Sequence, residues 1–157
     1  MAHITAHRAH RQPSFGAGEL RSGARTLPRR PEAAARARSW VRDELRHHDL
    51  PQDVRDDAVL VISELVTHAV LHATGATVSC EARVLAGCVH LEVRDGGQVS
   101  AGGHGLLLVD RIAEACGARP AKDGAGRAVW ATLPFRPADF RTPTTPRSRG
   151  TQPRCAR

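Results

Sequence analysis

A run free of Gly and Pro extends from Gln52 to His72 and carries the stretch ISELVTHAVLHA, Ile62 to Ala73. Ile62, Leu65, Val66, Ala69 and Val70 recur at spacings of three and four, which predicts a long helix with an apolar stripe turned to a core. Glu64, His68 and His72 recur every fourth residue on a neighbouring face. Ionisable groups beside a buried stripe cost stability unless they have partners or a task, so these three are candidate functional residues.

The rest of the chain sets what that helix can pack against. With 157 residues, 41% of them hydrophobic, the chain can build one domain with a core. No apolar run approaches the roughly 18 residues needed to cross a membrane. The opening MAHITAHRAHRQPS lacks the apolar segment of a secretory signal, so a cytoplasmic location is expected. Cys80, Cys88, Cys116 and Cys155 show no CxxC spacing, and the first three read as small core residues. The net charge of +7 resides in the ends: residues 1–30 and 134–157 each carry +5, whereas 31–133 carry −3. Both ends are rich in Arg, Pro, Gly, Ser and Thr without apolar period, so disordered basic tails are expected over 1–22 and 135–157, around a folded domain at 23–134. An acidic folded segment with no Tyr and few Phe argues against a nucleic-acid platform.

In chain order, Ala24 to Leu27 reads as a short strand ended by Pro28. A helix then opens at Pro31, with Ala35, Arg38, Val41 and Leu45 on one face, Trp40 at the core edge, and His47 and His48 in its last turn. Asp49 to Pro51 breaks the chain before the long helix, which Gly75 ends. Ala76 to Leu85 and Cys88 to Val93, joined at Ala86 and Gly87, read as an antiparallel hairpin. Next comes RDGGQVSAGGHGLLLVDRIAEACGA, an acidic residue and a glycine-rich segment before a helix that begins about Leu106 and is capped by Gly117. Bare backbone beside a helix start can seat a phosphate. Pro120 to Gly126 reads as a turn, and Arg127 to Leu133 as the last strand before Pro134 ends the fold.

Taken together, Glu64 to Ala73, RDGG at 94–97, GGHGLLLVDRIA at 102–113 and GRAVWATLP at the close resemble the ATP-binding regulators of the anti-sigma-factor serine-kinase type. These belong to the superfamily of gyrase, Hsp90, histidine kinases and MutL. The resemblance implies an α+β fold of Bergerat type, a two-layer sandwich with a mixed, mostly antiparallel sheet covered on one face by helices. It implies ATP as cofactor, with Glu64 as the catalytic carboxylate that orients or deprotonates the attacking hydroxyl, and Asp95 accepting the adenine amino group. Gly97 would lie against the base, while Gly103, Gly105 and the Leu106 amide would cradle phosphates. His68 stands where the family carries the magnesium-binding Asn, and an imidazole nitrogen is a poor ligand for Mg2+. Ala128 stands where a Thr usually opens the last strand, and only Gln98 to Gly102 separates the glycine motifs, where a longer lid is usual. The implied partner is a protein, an anti-sigma-factor antagonist or a sigma factor, with a homodimer left open. Two other readings come from the same residues: a nucleotide-free protein-binding module of this fold, and a zinc site on Glu64, His68 and His72.

Overall fold

The computed structural model describes residues 19–97 and 106–136. β1 (Glu19–Pro28) leads into α1 (Ala33–Arg46) and α2 (Gln52–His72). The hairpin β2 (Thr77–Leu85) and β3 (Cys88–Asp95) follows, then α3 (Leu107–Ile112), β4 (Ala115–Pro120) and β5 (Arg127–Pro134). The strands form one sheet in the order β1-β2-β3-β5-β4, and every pairing is antiparallel. This is the two-layer α+β sandwich expected, with α1 and α2 against one face of the sheet, but the described sheet is antiparallel throughout rather than mixed.

α2 is the longest helix, and its buried residues Val54, Ala58, Val61, Ile62, Leu65, Val66 and Ala69 fall on one stripe at helical spacing. They meet Val78, Cys80, Ala82 and Val84 of β2, Val89, Leu91 and Val93 of β3, and Val129, Ala131 and Leu133 of β5 in a single core. Side chains alternate across each strand, so His90, Glu92 and Arg94 of β3 point to the opposite face of the sheet. The C-terminal end of α2 is pinned by Arg29, whose Nη1 donates to the Val70 carbonyl at 3.1 Å and whose Nε donates to the Gly75 carbonyl at 2.6 Å. Gly75 itself lies past the end of the helix at φ +93°.

Several sequence expectations are corrected. β1 begins at Glu19, inside the segment expected to be a tail. The buried face of α1 is Ala33, Ala37, Val41 and Leu45, and Ala35 is exposed. The two alanines at the start of this stripe let the first turns of the helix lie close to its neighbours. α1 ends at Arg46, so His47 is its cap and His48 lies beyond.

α3 has six residues and stops at Ile112, far short of Gly117. From Ala115 the chain forms β4, which sequence reading missed, because pairing with β5 outweighs the local helical pattern. Gly117 is therefore a strand residue opposite Trp130, and a Cβ on it would lie 3.1 Å from Trp130 Cζ2. The fold also continues past Pro134. Phe135 is buried in the core cluster and donates its N–H to the Gly87 carbonyl at 2.9 Å.

Candidate functional site

The site grows from the point where α2, the end of β3 and the start of β5 meet. Asp95 is the last residue of β3, and the antiparallel register sets it opposite Arg127, the first residue of β5. Both are nearly sealed from solvent, at 6% and 7% exposure. Arg127 Nε lies 3.1 Å from each carboxylate oxygen of Asp95. Asp95 Oδ1 also accepts the Gly97 N–H at 2.6 Å, which folds the chain back on its own side chain.

Three glycines are fixed by this crowding. A Cβ on Gly96 would lie 2.5 Å from the Thr74 carbonyl oxygen, and one on Gly97 would lie 2.7 Å from Asp95 Oδ1. Gly126 has φ +100°, and a Cβ there would run into the Asp95 carbonyl. Thr74 Oγ1 donates to the Gly96 carbonyl at 2.7 Å, so the chain just past α2 is tied directly to the loop that follows Asp95. Helix and loop thus share one support.

Glu64 lies half-buried in the middle of α2, with half-buried His68 one turn further and exposed His72 one turn beyond that. The His68 and His72 rings lie 4.8 Å apart, tilted by 52°, a side-by-side packing of one imidazole on the next. Among the described residues no group of three His, Cys, Asp or Glu side chains is arranged to hold a metal ion. The zinc reading on Glu64, His68 and His72 therefore fails. The resemblance would put His68 at the magnesium position, and its imidazole nitrogen is a poor match for an ion that prefers hard oxygen ligands.

Leu106 is the N-cap residue of α3, with no side-chain cap on the backbone amides of the first turn. Gly103 and Gly105 lie outside the described residues. A groove of about 440 Å³ lies between α1 and α2, lined by Arg38, Arg42, Asp56, Val59, Leu60 and Ser63, and contains none of the predicted site residues.

Sequence reasoning missed Arg127. The signal that finds it is the register between β3 and β5, which brings together residues 32 positions apart. It also missed the charge ladder on the sheet face turned away from the helices. There Arg83 pairs with Glu81, Glu81 with Arg94, Arg94 with Glu92, and Glu92 with Arg119. Burial would raise the Glu92 pKa, but hydrogen bonds from His90 and Arg94 and the charges of Arg119 and Arg94 outweigh it and hold it at about 2. Cys80 shows the uncompensated case, since burial alone pushes its thiol up to about 12.

Residues 27–133 match the family model described as Histidine kinase-like ATPase domain, and the chain belongs to that family. Its sheet and helices are those of a Bergerat-type ATPase fold. Among solved structures it is similar to the RsbU and RsbW domains of Rv1364c from Mycobacterium tuberculosis, at 25% identity and a TM-score of 0.63. That match covers 78% of this chain and 35% of the other, so the chain spans little more than a third of its structural relative. No curated protein matches the chain. Among the described residues, no helix is long and apolar enough to cross a membrane.

Proposed function

We propose that this chain is an ATP-binding regulatory protein of the anti-sigma-factor serine/threonine kinase type, acting in the cytoplasm on a protein partner in transcription regulation. The observation that carries the reading is the buried carboxylate of Asp95 beside the bare backbone of Gly97, in a chain of the histidine kinase-like ATPase family. A buried acceptor with a glycine next to it suits the amino edge and flat face of adenine. The similarity to a structure containing an RsbW domain supports the partner class.

When bound, ATP supplies a transferable terminal phosphoryl group. With ATP bound, Glu64 would take the proton of the partner's serine or threonine hydroxyl, whose oxygen would accept the terminal phosphoryl group with ADP as the leaving group. In this reading Gly103, Gly105 and the amides that follow Leu106 would hold the phosphates, and Asp95 would orient the base. No step is assigned to magnesium, because His68 is a poor ligand for it.

A second reading, a protein-binding module of this fold that has lost nucleotide, is favoured by His68 and by the ion pair already closed on Asp95. Calorimetric titration with a non-hydrolysable ATP analogue, with and without magnesium, separates the two. Saturable binding supports the first reading, and no binding under either condition leaves the second. Asp95→Asn is expected to weaken the analogue by about ten-fold or more. Glu64→Gln should keep its affinity and abolish transfer to the partner. Equal loss of nucleotide affinity in both variants would contradict the assigned roles.

A further inference from the structure

The Asp95 carboxylate is not an open acceptor. Its Oδ1 takes the Gly97 N–H and the Arg127 Nε, and its Oδ2 faces the same Nε at 3.1 Å. The donor sits in front of both oxygens. A Cβ on Gly97 would also lie 3.0 Å from Arg127 Nε and 3.2 Å from its Cζ, so the guanidinium rests against the glycine whose bare backbone the base requires. One side chain therefore covers both features that suit this corner to a 6-aminopurine.

We infer that Arg127 is a built-in competitor of the purine base: it occupies Asp95 and the Gly97 backbone in the free protein, and nucleotide binds by exchanging this ion pair for the neutral amino donor of adenine. The inference rests on the nucleotide-binding reading above and adds the residue that limits its affinity. A charge-assisted pair between buried groups is stronger than a hydrogen bond from a neutral amino group, so the exchange is uphill at this end of the ligand. Apparent affinity falls in proportion to the fraction of molecules in which Asp95 is released. Arg127 is thus an affinity-setting residue that acts through Asp95. Its position on β5, opposite Asp95 in the strand register, sets it in front of the carboxylate.

The test is calorimetric titration with the β,γ-imido analogue of ATP on the full chain and on Arg127→Gln, which keeps the side-chain stem but removes the guanidinium and its charge. Binding about ten-fold tighter than in the unaltered chain is expected, which corresponds to roughly one molecule in ten being competent before the change. In an Asp95→Asn background the same replacement should change affinity by less than about two-fold, because the acceptor being competed for is gone. A residue that merely props the fold would weaken binding in both backgrounds.

Equal or weaker binding by Arg127→Gln, with measurable binding by the unaltered chain, overturns the inference and leaves the nucleotide-binding reading intact. Absence of binding by both overturns the two together. Binding by Arg127→Gln alone supports the inference. Should circular dichroism show that Arg127→Gln is unfolded, Arg127→Lys carries the test. It keeps the charge but loses the planar group that fronts both oxygens, so tighter binding is again expected and weaker binding is decisive against.

Discussion

At the scale of single residues, the glycines around Asp95 differ from those in ordinary turns. Gly75 and Gly126 both have positive φ, but a Cβ on Gly75 meets nothing within 4 Å, whereas one on Gly126 collides with backbone. Gly75→Ala should cost about 1 kcal/mol, the backbone strain alone. Gly126→Ala should cost about 3 kcal/mol or more, since the Asp95 carbonyl must move as well. Urea denaturation of the two variants checks this, and equal losses would mean that the β4–β5 turn yields without disturbing Asp95. Asp95 and Gly97 could be marked as candidates from sequence because they stand in one short motif, and the structure joins them through the Gly97 N–H and Asp95 Oδ1. Arg127 was not legible, because its meaning depends on a strand register that no local pattern encodes.

At the scale of elements, strand and helix identities followed the hydrophobic pattern wherever that pattern was long. α2 was placed to its ends, and both strands of the β2–β3 hairpin were found. β4 was lost because six residues with Gly in the middle and Pro at the end carry almost no strand signal of their own. Its existence is decided by β5, where Trp130 needs the open space that Gly117 leaves.

The charge ladder gives β3 an acid-sensitive contribution. The Glu92 pKa is depressed from 4.5 to about 2, so its stabilisation is fully present above about pH 4.5 and is lost as pH falls toward 2. Glu92→Gln is expected to remove about 2 kcal/mol at neutral pH, allowing for screening at half-exposed Arg94, and to flatten the acid limb of stability. Denaturant melts from pH 7 to pH 2 test it, and parallel curves for the two proteins would show that the ladder does not report on Glu92.

At the scale of the whole molecule, one core joins the helical layer to the sheet, with Leu65 of α2 at 1% exposure among residues of both. Leu65→Ala should therefore cost about 2–5 kcal/mol, and far-ultraviolet and near-ultraviolet signals should still melt together. Separate transitions would mean that the layers unfold independently. Fold class was legible in the sequence through the family resemblance of its short motifs, with which the order of helices and strands is compatible. The sheet order was not, because β3 pairs with β5 across an intervening helix and strand. The same architecture leaves the chain with no tyrosine and two tryptophans: Trp40 on α1, packed against the helix side of the core, and Trp130 on β5, on the sheet face turned away from the helices. Each layer thus has its own intrinsic fluorophore. Replacing one indole with phenylalanine turns the emission of the other into an optical record of that layer alone, read without any label.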